Sequence, residues 1–371
     1  MLVFFNSIPD HRRTEFGHFV HPLSDILFLN LIAKACGCIG RPDVIAFGKA
    51  NLKKIRKLGF CHRGIPSEST LCRIDKELDP VKMEDAFQCF TKKFLVNPKT
   101  LKIMALDGKC TNGTTQENGR SPDLLSLYSV DKKMTIAKEM CDAKSNEITA
   151  APKLLDKVEL DGCLITADAI FCQTAILEKI ISKNCDFLVE VKANQKNLRW
   201  SMEDRLKTVA CNDFYVSEPE LSHGRIETRQ CRTFNGAAVV VDTNKWGNNL
   251  IVIELETTNI DKATKKETCE KRIYISNKWY SAQEFDTLIR KHWGIETNHW
   301  HLDYNMKQDD IKRKSSNAAR NLDTIQRLVL NMFSVWSHCR KKLADRNLGV
   351  AELLRRCKNN FSFLKQILTQ K

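Results

Sequence analysis

Three acidic residues stand out by position. Asp107 closes the β-type run Lys102–Leu106 and is followed by Gly108-Lys109; Asp168 closes Leu164-Ile165-Thr166-Ala167. Glu296 ends Arg290-Lys291-His292-Trp293-Gly294-Ile295-Glu296, a stretch of helical character. Ligands of open α/β sheets collect beyond the carboxyl ends of the strands, so Asp107 and Asp168 can share one site. Helical spacing would bring His292, Glu296 and Asp303 onto one face. Converging carboxylates suit phosphodiester chemistry. Two Mg²⁺ ions about 3.5–4 Å apart can activate an attacking oxygen and neutralise a departing one. Mg²⁺ takes a few carboxylates and completes its shell with water and phosphate oxygens. In such a site Asp107 would bridge the ions, with Asp168 and Glu296 each completing one shell. A plainer reading stands beside this: an acid at a strand end also serves as a helix cap or a turn residue, and spacing alone does not choose.

The elements that must position these acids follow from patterning. Helices are expected at Leu23–Cys36, at about Asp43–Leu58, at Glu68–Leu78 with Ser67 or Ser69 as N-cap, and from Asp79-Pro80 through Phe94. Short helices with Gly-containing turns fit a helix-turn-helix-like module with Ser69, Thr70 and Arg73 facing a DNA groove, or a helical packing domain without that duty. From about residue 101 the texture changes. Strands are expected at Lys102–Leu106, Leu124–Val130, Met134–Met140, Leu164–Ala167 and Phe187–Lys192, with helices at Glu147–Val158 and Gln173–Ser182. Three successive strands followed by alternating helices and strands make a mixed sheet with helices on its faces. Residues 197–280 read as a β-rich insertion, with strands at Ala238–Asp242, Leu250–Thr257 and Arg272–Ser276; helices resume at Ala282.

The chain has 371 residues, 42% hydrophobic and 28% charged, the balance of a globular protein of two or three domains. Its longest apolar stretch, Ile26–Ala35, is broken by Asn30 and Lys34 and falls short of the roughly 20 residues of a membrane span. With no signal-peptide pattern, the expected location is the cytoplasm, at the nucleoid. The fifteen cysteines are irregularly spaced without C-x-x-C, which argues against a disulfide framework. A zinc quartet of His18, His21, Cys36 and Cys38 departs from the usual ligand spacing. The net charge of +14 is concentrated: Lys49, Lys53, Lys54, Arg56, Lys57 and Arg63 lie between Ala46 and Ser67 with no acid among them. Residues 307–371 hold fifteen Lys or Arg against five Asp or Glu. Two basic segments resemble a polyanion footprint.

Ordered short matches run through nearly the whole chain. They include Ile8-Pro9-Asp10-His11-Arg12-Arg13, His21-Pro22-Leu23, Gly64-Ile65-Pro66-Ser67 and Ala105-Leu106-Asp107-Gly108-Lys109. Further along come Lys144-Ser145-Asn146-Glu147-Ile148, Asp168-Ala169 with Cys172-Gln173, Val191-Lys192-Ala193-Asn194-Gln195 and His223-Gly224-Arg225-Ile226-Glu227-Thr228-Arg229. The last is His292-Trp293-Gly294-Ile295-Glu296 with His299-Trp300-His301-Leu302-Asp303. On these residues the chain resembles the insertion-sequence transposases of the ISAs type, the group of the H-repeat-associated proteins, within the DDE superfamily.

The resemblance implies an α-helical N-terminal domain (1–97) ahead of an RNase H-like mixed-sheet catalytic domain (98–371). The latter would carry the β-rich insertion at about 197–280 and a basic helical region at about 307–371. It implies Mg²⁺ or Mn²⁺, two ions, on Asp107, Asp168 and Glu296, and cleavage of element ends followed by 3′-hydroxyl attack on target DNA. Double-stranded DNA would be the partner, met by a homodimer or higher oligomer, with no membrane. Candidate DNA contacts are Lys53, Lys54, Lys57, Arg73, Lys192, Asn194, His223, Arg225, Arg229, Arg290 and His292. The family commonly has a Thr-Leu-Arg-Gly-like run after Asp107-Gly108-Lys109 and a His before the second strand. Here stand Cys110-Thr111-Asn112-Gly113 and Asp123-Leu124-Leu125. A DNA-binding descendant without catalysis, and a nuclease of the same fold without strand transfer, are the alternatives.

Overall fold

The computed structural model describes residues 2–12, 20–94, 102–114, 121, 123–141, 147–222, 224–247 and 249–369. Among them are the strands β1 (Lys102–Cys110), β2 (Asp123–Ser129), β3 (Met134–Met140), β4 (Cys163–Ala167) and β5 (Asp186–Val191). Then come β6 (Asp213–Val216), β7 (Glu220–Ser222), β8 (Arg225–Asn235), β9 (Ile251–Asp261) and β10 (Glu267–Ser276). The chain falls into two units. One is Thr100–Asp107 with Ser145–Glu296; the other is Met1–Lys99 with Gly108–Lys144 and Thr297–Lys371.

The first unit is built on a mixed sheet. Ile103–Leu106, all of β4, and Phe187–Val191 are buried at every residue, the pattern of parallel strands covered on both faces. β1 pairs with β4 in parallel from Lys102↔Cys163 to Leu106↔Ala167, and β4 with β5 from Leu164↔Asp186 to Ala167↔Val189. Antiparallel strands continue the sheet from β5 in the order β10, β9, β8, β6, with β7 also on β8. The helix Thr174–Ser182 makes the crossover between β4 and β5 and buries Ile176, Leu177 and Ile180. The helix Ala282–His292 opens with a capping box: the Glu284 N–H donates to the Ser281 hydroxyl, and the Ser281 N–H to the Glu284 carboxylate. It packs Phe285, Leu288 and Ile289 inward, against β4, β6, β8 and β9.

The β-rich stretch holds β6 to β10, but the strand expected at 238–242 is not formed. Gly236–Val239 is a helical turn instead, capped by the Asn235 side chain, which accepts the Ala237 N–H at 3.0 Å. Gly236 sits so close to Leu250 that a Cβ there would lie 2.3 Å from the Leu250 carbonyl oxygen. A local cap and a backbone contact override the β propensity of the valines that follow.

The second unit is mainly helical. Leu23–Ala35, Arg41–Arg56, Glu68–Glu77 and Pro80–Lys92 match the expected helices within two residues at each end. Ser67 and Asp79 are N-caps, accepting the Thr70 and Val81 N–H groups. The long helix Ser316–His338 packs against Leu23–Ala35, Glu68–Glu77, Pro80–Lys92 and β3, and β2 and β3 form an antiparallel hairpin. Asp323, buried in that helix, accepts from Lys138 Nζ at 2.7 Å and Arg327 Nε at 2.9 Å. Burial opposes its ionisation, but Arg327 and Lys138 outweigh it and hold the carboxyl far below the usual range. Among the described residues no helix is long and apolar enough to cross a membrane. All fifteen cysteines are free thiols, as their spacing predicts.

Candidate active site

Asp107 does not end its strand, since β1 runs on to Cys110. What ends is the pairing: the last β1–β4 partners are Leu106 and Ala167, and Asp107 and Asp168 are each the next residue. Asp168 keeps an extended backbone, φ −69° and ψ 166°, so the pleat carries one position further. Partners in parallel strands project to the same face of the sheet, which directs both aspartates to one side. On that side lies a cavity of about 180 Å³. Residues of three adjoining strands, with those just past β4 and β5, line it: Thr166 to Asp168, then Leu188, Glu190 and Lys192, then Arg272 and Tyr274. His292, Trp293 and Glu296 line it from the opposite side.

His292 is the hinge of this arrangement. Its Nδ1 lies 2.9 Å from Thr166 Oγ1, and its Nε2 lies 3.5 Å from Asp168 Oδ1, long for a hydrogen bond but an ion pair when the ring is protonated. The imidazole holds the Asp168 carboxyl below its ordinary range, against the opposing effect of burial. Glu296 is shifted the other way. Burial raises its carboxyl, and the negative charges of Asp107 and Asp168 add to the rise, while His292 and Arg272 oppose it. The charges of both aspartates therefore reach Glu296. Two cations stand at the rim: Lys192 Nζ is 2.9 Å from Glu190, and Arg272 Nε is 2.9 Å from Glu270.

The donor chemistry fits a hard divalent cation. Asp168 and Glu296 line the cavity, no thiol does, the charge of Asp107 reaches Glu296, and the raised Glu296 carboxyl marks a site whose charge a cation would relieve. Among the described residues no three His, Cys, Asp or Glu side chains converge closely enough to form a ready cage. Of the zinc quartet, His18 lies outside the described residues, and burial drives the Cys36 thiol well up, away from the thiolate a zinc ligand requires.

The structure distributes the remaining candidates. Asp303 does not join His292 and Glu296; in the helical unit it pairs with Lys109, 2.7 Å away. The helix from Ala282 stops at His292, a new one spans Gly294–Trp300, and His301–Asn305 is a π turn, so regular spacing does not carry to residue 303. Arg229 is buried, with its guanidinium on Asp286 (2.7 Å), Glu227 (2.6 Å) and Glu220 (3.1 Å); it braces β8 against the helix Ala282–His292 and has no solvent face for a phosphate. Arg290 bonds Glu220 at 2.6 Å, on the same acidic patch. Arg225 is exposed at the start of β8, and His223 lies outside the described residues. Asn194 donates its amide to the Ala169 carbonyl at 2.6 Å. Lys53, Lys54, Lys57 and Arg73 are exposed in the helical unit. Sequence reasoning misses Thr166, Glu190, Arg272 and Tyr274. For Thr166 and Glu190 the signal is a polar residue near the end of an otherwise apolar strand.

A mixed-sheet α/β unit with carboxylates gathered past the ends of parallel strands defines a class, and sequence comparison gives it a name. Residues 94–332 match the family model "Transposase DDE domain", and residues 2–91 match "DDE_Tnp_1-associated". The chain belongs to this DDE transposase family. It is similar to "Putative transposase YncI" of Escherichia coli O157:H7, 32% identical over 372 residues, covering 96% of this chain and 95% of the relative. It is also similar to "H repeat-associated putative transposase YhhI" of Escherichia coli strain K12, 32% identical over 337 residues and 88% of each chain. Among solved structures, a piggyBac transposase synaptic complex with hairpin DNA aligns over 97% of this chain and 76% of that chain, with TM-score 0.49 and 12% identity.

Proposed function

We propose that this chain is an active DNA transposase that cleaves the ends of an insertion sequence and joins the freed 3′-hydroxyl to target DNA. Asp107, Asp168 and Glu296 are the proposed ligands of Mg²⁺ or Mn²⁺, two ions in all. The observation that carries this reading is the register: Asp107 and Asp168 follow the last partners of two parallel strands, and their charges reach Glu296. Bound divalent ions would supply Lewis-acid activation of the attacking oxygen and charge neutralisation at the departing one. The chain's own residues do the rest. His292, anchored on Thr166, keeps Asp168 ionised and fixed in direction. Lys192 and Arg272 bring positive charge to the rim, suited to non-bridging phosphate oxygens.

The partner in this reading is double-stranded DNA, element ends and target, held by a homodimer or higher oligomer in the cytoplasm at the nucleoid. Residues 1–97 would be the associated N-terminal domain and 98–371 the RNase H-like catalytic domain. Lys53, Lys54, Lys57, Arg73 and Arg225 are the proposed phosphate contacts outside the cavity.

The test is Mg²⁺-dependent nicking of DNA carrying the element's ends, comparing wild type with Asp168→Asn. Cleavage by wild type and its loss in the variant, with DNA binding retained by both, is the expected outcome. No cleavage by either protein, with binding intact, would replace this reading by that of a DNA-binding descendant. Cleavage without joining of a supplied 3′-hydroxyl end would leave a nuclease.

A further inference from the structure

Two segments far apart in sequence, Asp168–Gln173 and Lys192–Gln195, form one hydrogen-bonded unit. Asp168 is the last extended residue before the 3₁₀ turn Ala169–Phe171. That turn closes on itself: the Phe171 N–H donates to the Asp168 carbonyl at 3.0 Å, and the Cys172 N–H to the Ala169 carbonyl at 3.1 Å. A second 3₁₀ turn, Ala193–Gln195, follows β5. From it Asn194 Nδ2 donates to the Ala169 carbonyl at 2.6 Å. Gln195 Nε2 donates to the Cys172 carbonyl at 2.8 Å and to Gln173 Oε1 at 3.2 Å. The Ala169 carbonyl thus accepts one bond from each turn, using both its lone pairs.

Asn194 is an exposed residue that spends its donor on the backbone of a neighbouring turn. The placement matters because Asp168 makes no side-chain capping bond to the turn it precedes. Its carboxylate is not tied to that turn and lies 3.5 Å from His292 Nε2, so its placement depends on His292 in front and on the backbone at 168 with the turn behind it. A small, hard cation tolerates little error in ligand placement.

We infer that Asn194 and Gln195 are positioning residues for the Asp168 carboxylate, acting through the turn Ala169–Phe171 rather than by touching DNA. This rests on the reading of Asp168 as a metal ligand. Groups that orient metal ligands cost about 10- to 100-fold in metal affinity when removed.

The experiment measures Mn²⁺ binding to the full chain without DNA, by electron paramagnetic resonance of the free ion. Wild type, Asn194→Ala, Gln195→Ala, Asp168→Asn and the double variant Asn194→Ala/Asp168→Asn are compared, with thermal melting of each. Each amide variant is expected to weaken Mn²⁺ binding by about 10-fold or more, with melting close to wild type. In the Asp168→Asn background, Asn194→Ala should add no further loss, because its effect passes through Asp168. In DNA cleavage its kcat should fall while KM for DNA holds. Wild-type Mn²⁺ affinity in both amide variants, an equal loss with and without Asp168, or unfolding of both would overturn the inference. If Asp168→Asn weakens Mn²⁺ binding and the amide variants do not, only the positioning role fails. If wild type itself binds no Mn²⁺, the metal-site reading fails with it.

Discussion

Glu296 and Asp168 face one cavity with their carboxyl groups shifted in opposite directions. A carboxyl raised in the folded state disfavours its own ionisation there, so the Glu296 cost is absent below its unfolded-state value, grows as pH rises from there, and is complete above the raised value. Glu296→Gln should therefore raise the melting temperature of the metal-free protein at neutral pH, with the gain fading on acidification, and abolish cleavage. For Asp168 the sign reverses. Its lowered carboxyl adds stability above its unfolded-state value, and this is lost as pH falls through the depressed one. Melting curves of Asp168→Asn should show a loss at neutral pH. A melting temperature lowered by Glu296→Gln would contradict a cost of burying the Glu296 carboxylate near two other negative charges.

Elements with strong local signals are the ones the sequence shows well. Ser67, Asp79 and Ser281 cap helices where their side chains can reach the first free N–H groups, an interaction within one turn of chain. The central strands are likewise visible as short apolar runs. Three features escape such reading because distant atoms decide them. β1 continues through Asp107 to Cys110, the turn at Gly236 depends on Leu250, and the break after His292 with the π turn at His301–Asn305 sends Asp303 to Lys109. The Gly236 contact gives a quantitative expectation. Gly236→Ala places a methyl against the Leu250 backbone, which cannot yield as a flexible side chain would. Urea denaturation should show a loss of about 1–3 kcal/mol; an unchanged midpoint would mean that the turn relaxes freely.

At the scale of the whole molecule the sequence speaks through charge. Lys53, Lys54 and Lys57 lie exposed on the helix Arg41–Arg56 and the turn after it, with Lys54 Nζ 5.4 Å from the Phe361 ring centroid. If each meets a DNA phosphate, changing all three to Gln should flatten the dependence of log affinity on log salt by about 2.7. An unchanged slope would remove this helix from the DNA interface. The sequence by itself determined the family, the mixed α/β class with helices ahead of it, and the three acids as candidates. Apolar periodicity, caps and ordered short matches are all carried by residues near one another in the chain. Only the tertiary structure decided which side chains share the cavity with Asp168 and Glu296. Thr166, Glu190, Arg272 and Tyr274 enter it through strand register, Arg229 is buried against Asp286, and Asn194 bonds the Ala169 carbonyl. Register and burial arise from pairings between residues far apart in sequence, and no local pattern records which partner a polar side chain will find.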